Sequence, residues 1–191
     1  MKKKFVLFSL VILTMVALIV LFAFLFGVTA EADTTPITPV RVSIRAIDKS
    51  FPLEPYPEYW MRDSFVDGPA FWRDQEGMSI EIVSHSVQDP GRYFRLIEVG
   101  DTITLEFSDN STRYYVVDEL ILMKYKCPYR PYNVYECTWM IGDREFTRQS
   151  FSDFVFLRPG ALILHTSLAK DGDLFSAGQR FYIAYPLGIA Y

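Results

Sequence analysis

The segment Leu162-Ile163-Leu164-His165-Thr166-Ser167 reads as one strand of a β-rich core. Successive side chains of a strand point to opposite faces of the sheet, so His165 and Ser167 share one face. The opposite face, which we expect to enter the core, carries Leu162, Leu164 and Thr166. Arg180 opens the next predicted strand, so it could approach Ser167 if the two strands are neighbours.

Other segments have the same strand character. Thr102–Phe107 alternates strictly between apolar and polar residues, and the turn residues Ser108–Ser111 lead into Arg113–Lys124 as its hairpin partner. Further strand-like runs lie at 40–46, 80–85, 134–140, 145–149, 153–157, 161–167 and 180–186, and a turn with one or two helical turns lies at 90–97. This spacing predicts an all-β fold with one or two short helices, closed or nearly closed into a barrel.

Composition excludes several classes of protein. The chain has 191 residues and a net charge of −4, with 50% hydrophobic residues. Three of its 19 basic residues precede residue 31, which leaves 16 basic against 23 acidic residues and a balance of −7 beyond that point. So acidic a surface argues against nucleic acid as a partner. Two Cys and two His rule out a disulfide-stapled mini-fold and a four-Cys zinc site, and we predict neither a metal nor a cofactor.

The N-terminus predicts export. Lys2, Lys3 and Lys4 form a basic tip at residues 1–4, and an uncharged run of residues 5–30 follows. That run is long enough to span a bilayer, and the flanking charges predict a single-pass anchor with its N-terminus inside the cell. A cleaved signal peptide ending at 28–30 is the alternative. Residues 31–39 read as an extracellular linker and residues 40–191 as one folded extracellular domain.

The order of motifs resembles the sortases, the membrane-anchored cysteine transpeptidases of Gram-positive bacteria, over about residues 38–188. The segments that carry the resemblance are Pro39–Ile47, Ser84-His85-Ser86, Tyr93–Leu96, Gly100–Ile103, Leu162–Ser167 and the final strand that begins with Arg180. The resemblance implies a sortase-like antiparallel or mixed β-barrel of about eight strands behind one transmembrane helix.

The resemblance also implies a chemistry. Sortases cleave a sorting-signal peptide of a surface protein, form a thioester, and pass the acyl group to a cell-wall or pilin amine. By resemblance, His85 is the acid and base, Arg180 steadies the substrate carbonyl or the oxyanion, and Ser167 occupies the nucleophile position. His165 and Thr166, inside the same signature, would contact the substrate.

Three positions depart from the family pattern: Ser167 replaces the nucleophilic Cys, Ser84 replaces a Gly, and Ile163 replaces a Thr. A serine hydroxyl has no thiolate-like ionised fraction at neutral pH and needs a general base oriented by a third group. That base could be His85 or His165, and the sequence identifies no carboxylate partner for either.

Several functions therefore remain open. The protein could be a degenerate sortase that binds sorting-signal peptides with impaired transfer, or an active serine enzyme using Ser167, His85 and Arg180. It could also be a non-catalytic binding or structural module of the cell envelope. An introduced Cys-to-Ser change is disfavoured by the two other departures.

Cys127 and Cys137 bracket a loop rich in Tyr and Pro. In an exported protein these two cysteines are expected to form a disulfide. The loop could then contact peptides beside the barrel groove.

Overall fold

The computed structural model describes Met15 and residues 36–56, 70–75, 77–84, 90–127, 137–168 and 178–188. The chain divides into two compact units, Met1–Pro36 and Ile37–Tyr191. The predicted anchor at 5–30, apart from Met15, and residues 31–35 of the predicted linker lie outside the described residues. Among the described residues, no helix has the length and apolar character that a membrane crossing requires.

The second unit is built from ten described strands and two short α-helices. The strands are β1 (Pro39–Ile44), β2 (Lys49–Pro55), β3 (Ala70–Gln75), β4 (Ser79–Ser84), β5 (Thr102–Phe107), β6 (Thr112–Lys126), β7 (Thr138–Ile141), β8 (Arg144–Phe146), β9 (Ala161–Ser167) and β10 (Gly178–Pro186). The helices are α1 (Gly91–Phe94) and α2 (Arg148–Phe156), and a 3₁₀ turn follows β1 at Arg45–Ile47.

Eight of these described strands close into a barrel. Their order is β10-β9-β4-β3-β2-β1-β5-β6, and β6 pairs with β10 to complete the ring. The β2–β3 and β4–β9 pairs are parallel, whereas the other pairs are antiparallel. The β7–β8 hairpin extends from β6 outside the ring. The predicted all-β fold with a barrel of about eight strands is confirmed.

Two apolar clusters lie on the two faces of the barrel wall. The inner cluster fills the barrel and includes Leu162 and Leu164, as predicted for that face of β9. The outer cluster lies beneath α2 and the β7–β8 hairpin, and it includes Ile163, Phe151 and Phe181. Because both faces of β9 are covered along most of its length, this strand is apolar without alternation.

Sequence predictions differ from the structure in two regions. The segments 145–149 and 153–157 are predicted as strands, but β8 ends at Phe146, residues 148–149 begin α2, and 153–157 lies mainly in α2. Helix α2 begins with a reciprocal cap, in which the Thr147 hydroxyl accepts from the Ser150 amide at 3.1 Å and the Ser150 hydroxyl accepts from the Thr147 amide at 3.0 Å. The Phe- and Val-rich content of this helix mimics a strand, because those residues pack on the outer cluster.

The first strand also ends earlier than predicted. Alternation predicts that Val40 and Ala46 point into the core with Val42 and Ile44. A β-bulge between Pro39 and Arg41 instead turns Val40 outward, where it is 40% exposed, and the chain leaves the strand after Ile44. A bulge inserts one extra residue, so the side chains before and after it do not follow a single alternation.

Leu164 on β9 offers a test of the inner core. Leu164→Ala is expected to lower the free energy of unfolding by about 2–5 kcal/mol, because the fully buried side chain leaves a cavity in the barrel. Leu122→Ala is the matched control, since Leu122 lies on strand β6 and is 42% exposed. Urea unfolding measures both. Equal losses of unfolding free energy in the two variants would contradict the burial of Leu164 in the inner cluster.

Candidate functional site

The predicted signature segment forms the end of β9, between two neighbouring strands. Thr166 pairs with Ser84 of the parallel strand β4 on one side and with Arg180 of the antiparallel strand β10 on the other. The last residues of β4 and β9 and the first residues of β10 therefore lie at the same end of the barrel. The sequence hypothesis required β9 and β10 to be neighbours, and they are.

Side-chain direction divides this end into two faces. Thr166 is buried on the inner face with Ser84, whereas His165 stacks on Phe181 of the outer cluster. Ser167 follows Thr166 and pairs with Gln179, so regular alternation directs its side chain outward with that of His165. Arg180, in contrast, pairs with Thr166 rather than with Ser167.

Arg180 is held in place by α1 and by its own strand. Its Nη1 donates to the carbonyl of Arg95, which follows α1, at 2.9 Å and to the Tyr182 hydroxyl at 3.2 Å. The start of β10 is also fixed by Gly178, where a Cβ atom would lie 2.0 Å from the Met123 carbonyl oxygen. The strand therefore needs glycine two residues before Arg180, because only a residue without Cβ allows this approach.

Two buried polar atoms on these paired residues have no hydrogen-bond partner among the described residues. They are Nε of Arg180 and Oγ1 of Thr166. A buried donor or acceptor left unsatisfied costs about 1–3 kcal/mol. Two such atoms at the shared end of three strands are the kind of exception that a functional site would explain.

The structure adds Glu81, which the sequence reasoning did not identify. Glu81 lies on β4, and its side chain is 1% exposed. Its Oε2 accepts from Nε of Arg73 and from Nε2 of Gln75, the latter at 2.6 Å, and its Oε1 lies 3.1 Å from Nδ1 of His165. Three donors thus surround one buried carboxylate, as burial of a charge requires.

His165 is oriented by two contacts. Its ring stacks on Phe181 with 4.3 Å between centroids and 17° between planes, and its Nδ1 faces the Glu81 carboxylate. The side chain is 15% exposed, so the imidazole lies at the edge of the outer cluster rather than inside it. The sequence predicted His165 as a substrate contact, and the structure places it on the partly open outer face.

The charges around Glu81 keep it ionised. Burial by itself raises the pKa of Glu81, but the hydrogen bond and charge of His165, together with the charge and hydrogen bond of Arg73, outweigh it and lower the pKa below its ordinary value. Arg73 in turn lies 5.0 Å from the ring centroid of Tyr56, whose pKa is raised mainly by burial. Glu81 is therefore a carboxylate at neutral pH.

Other predicted residues stand as follows. His85 lies outside the described residues, so its convergence with Ser167 and Arg180 remains a prediction. Cys127 and Cys137 are joined in a disulfide with their Cα atoms 4.3 Å apart, while the Tyr- and Pro-rich segment between them is not described. Within the described ranges, no group of three His, Cys, Asp or Glu side chains is placed to hold a metal ion.

Comparison with known proteins identifies the fold. No family model matches the sequence, and no curated protein matches it. Sortase C-1 from Actinomyces oris is similar in structure over 83% of this chain and 78% of its own, with 14% identity and a TM-score of 0.51. Pilus-related sortase C of Group B Streptococcus is similar over 83% of this chain and 70% of its own, with 14% identity and a TM-score of 0.49. A lid mutant of sortase A from Corynebacterium diphtheriae is similar over 84% of this chain and 76% of its own, with 11% identity and a TM-score of 0.48.

The likeness to the Actinomyces oris structure defines the class of fold. The chain has a sortase-like fold, and the Actinomyces oris structure carries that statement. At 14% identity the likeness concerns the fold alone, so function has to be argued from the site.

Glu81 should make stability depend on pH. The pKa of Glu81 is lower in the folded state than in the unfolded state. The ionised carboxylate therefore stabilises the fold at pH values above the ordinary carboxyl pKa, and this stabilisation is lost as the pH falls through the pKa of the folded state. Glu81→Gln is expected to cost about 3 kcal/mol of unfolding free energy at pH 7, because it leaves buried cations unpaired. The difference in unfolding free energy between Glu81→Gln and the parent protein should become smaller as the pH is lowered.

Denaturant unfolding at several pH values between 7 and acidic conditions measures this effect. The matched control is Glu145→Gln, which removes an exposed carboxylate paired with Lys126 at 3.1 Å and should change little at any pH. An ionised Glu81 would be contradicted if the difference in unfolding free energy between the parent protein and Glu81→Gln stayed constant down to pH values below the carboxyl range.

Proposed function

We propose that this chain is a membrane-anchored extracellular protein that binds sorting-signal peptides of surface proteins at the shared end of β4, β9 and β10. Transpeptidation would be impaired because Ser167 stands at the nucleophile position. The sortase-like fold supports the class of protein, and the arrangement of the three strand ends supports the location of the site.

The observation that carries the proposal is the register Ser84–Thr166–Arg180 across three adjacent strands. His85 follows Ser84 directly in the sequence, and Ser167 follows Thr166. Arg180 pairs with Thr166 and bonds to Tyr182 of the inner cluster, so its side chain lies on the inner face, whereas alternation directs the side chain of Ser167 outward. The proposed site is therefore the shared end of the three strands rather than one face of the sheet.

Arg180 is the group best prepared to hold a peptide carbonyl. Its Nη1 is already tied to Arg95 and Tyr182, so little further side-chain freedom would be lost on binding. A neutral carbonyl that accepts from a guanidinium forms a charge-assisted hydrogen bond.

The hydroxyl of Ser167 explains why transfer would be impaired. A free thiol has a pKa of about 8.5, and a nearby imidazolium can lower it into the physiological range. A serine hydroxyl provides no such anion and depends on a base at the moment of attack. By resemblance the acyl acceptor would be a cell-wall or pilin amine. If attack by Ser167 on the peptide is slow, little acyl-enzyme would form for that amine to react with.

Peptide binding tests the proposed site. Arg180→Ala should weaken the binding of a fluorescent Leu-Pro-type sorting peptide by about tenfold or more, because it removes a charge-assisted hydrogen bond. Fluorescence anisotropy on the full-length protein in detergent measures the dissociation constants. The matched control is Arg41→Ala, which removes an exposed arginine paired with Glu106 at 3.4 Å on the strand β1.

Two outcomes would contradict this assignment. The first is undetectable peptide binding by the parent protein, which would favour a purely structural envelope module. The second is loss of binding in Gln179→Ala with full binding in Arg180→Ala, because Gln179 is the residue paired with Ser167.

The nucleophile position gives a separate prediction. Ser167→Cys should turn over the same peptide at least about 100-fold faster than the parent chain, since each tenfold in rate needs only about 1.4 kcal/mol of barrier reduction. Cleavage followed by liquid chromatography, with and without an added amine acceptor, measures both proteins. Parent turnover equal to that of Ser167→Cys would overturn the impaired-transfer view and favour a fully active serine enzyme.

A further inference from the structure

A row of hydroxyl side chains crosses the outer face of the barrel near the turn between β1 and β2. Ser43 of β1 pairs with Ser50 of β2 on one side and with Thr104 of β5 on the other. Paired residues of neighbouring strands share a face of the sheet, and the flanking side chains of Val42 and Ile44 enter the inner cluster. The three hydroxyl groups therefore point away from the core.

These hydroxyl side chains line a cavity of about 310 Å³ together with the turn that joins β1 to β2. The other lining residues are Ile44, Arg45, Asp48 and Lys49. Asp48 has a left-handed conformation with a φ of 50°, and its amide donates to the carbonyl of Arg45 at 3.1 Å. This tight reversal of the chain allows Arg45 and Lys49 to border one cavity, whose volume suits a small ligand.

The two cations at this cavity are not neutralised by a neighbouring carboxylate. Arg45 and Lys49 are exposed, and no ion pair joins either of them to a described Asp or Glu side chain, Asp48 included. The Lys49 ammonium lies 5.1 Å from the ring centroid of Tyr93, a contact that holds it beside α1 without cancelling its charge. In a chain with a net charge of −4, two unpaired cations that share a cavity indicate a site for an anion.

The cavity also has hydrogen-bonding groups that its own contacts leave available. The Ser43 hydroxyl donates to Oγ of Ser50 at 2.9 Å, so the proton of Ser50 can go to another acceptor. The half-buried Thr104 hydroxyl has no hydrogen-bond partner among the described residues. Asp48 adds the complementary group, because a carboxylate accepts hydrogen bonds from hydroxyl groups and cannot donate them.

We propose that this cavity binds the phosphate ester of a small polyol. The phosphate oxygens accept from Arg45, Lys49 and Thr104, which combine two positive charges with a hydroxyl donor. The hydroxyl groups of the polyol donate to the Asp48 carboxylate and exchange hydrogen bonds with Ser50. Inorganic phosphate meets the repulsion of Asp48 without this compensation, so the cavity favours the ester. The inference goes beyond the proposed function, since none of these residues belongs to the set assigned to peptide binding.

Titration of the full-length protein with glycerol phosphate in a nonionic detergent tests the site. Calorimetry should give a lower dissociation constant for glycerol phosphate than for inorganic phosphate, and glycerol alone should not bind. Arg45→Gln and Lys49→Gln should each weaken the binding of glycerol phosphate about tenfold, because each removes a charge-assisted hydrogen bond. Lys126→Gln is the matched control and should bind like the parent, since it removes an equal charge from an exposed residue paired with Glu145 at 3.1 Å.

Two further variants separate the phosphate and the polyol parts of the ligand. Thr104→Val keeps the branched shape and removes only the hydroxyl, so it should weaken the binding of glycerol phosphate and of inorganic phosphate by a similar factor. Asp48→Gly keeps the left-handed turn, which glycine adopts without strain. This variant should bind inorganic phosphate more tightly, because a like charge is removed, and should lose the preference for glycerol phosphate.

The same chemical group occurs in soluble polyol phosphates and in lipid headgroups. Phosphatidylglycerol added to the detergent micelles distinguishes the two sources, because its headgroup is a phosphate ester of glycerol. Weaker apparent binding of soluble glycerol phosphate in these micelles assigns the cavity to the headgroup, and unchanged binding assigns it to the soluble ester. Both results support the proposed class of ligand.

The proposal is overturned if the parent protein fails to bind glycerol phosphate at millimolar concentration, or if Lys126→Gln weakens binding as much as Lys49→Gln does. The second result would make the net charge responsible rather than the cavity. Arg45 and Lys49 are exposed, so thermal unfolding should show that their variants keep the parent midpoint. Failure of the proposed function would leave these titrations unchanged, because they contain no peptide.

Discussion

Placement of β9 between a parallel strand and an antiparallel strand is the constraint on which the site depends. A parallel partner brings two strands to their carboxyl ends at the same edge, and an antiparallel partner begins at that edge. Ser84, Thr166 and Arg180 are adjacent for this reason, although 96 residues of sequence separate the first from the last. Closure of the ring through β6 and β10 then fixes the register, because a slip in one pair would have to be matched around the barrel.

The buried carboxylate of Glu81 is the second constraint on this part of the barrel. An ionised group inside a protein is retained only where donors replace its water, and Glu81 obtains them from Arg73, Gln75 and His165. The same contacts tie β3, β4 and β9 together and set the orientation of the imidazole. The contact that helps to satisfy the buried charge thus also fixes the orientation of the ring.

Sequence patterns succeeded where local periodicity and burial coincide. Thr102–Phe107 alternates in sequence and in burial, and Leu162 and Leu164 enter the barrel as alternation required. They failed where tertiary packing overrides propensity. Residues 153–157 look like a strand but lie mainly in a helix that packs on the outer cluster. The strand Lys49–Pro55 contains prolines at positions 52 and 55, and no alternation marks it.

The sequence by itself determined the barrel class, the strand that carries Ser167 and the sortase resemblance, because these follow from residue order and short-range alternation. Only the tertiary structure decided that Glu81 faces His165, 84 residues away. In the sequence Glu81 occupies the polar position of an alternating strand, which is ordinarily the solvent face. It is buried because the outer cluster and the side chains of β3 cover that face, and such cover depends on contacts between distant segments that no local pattern encodes.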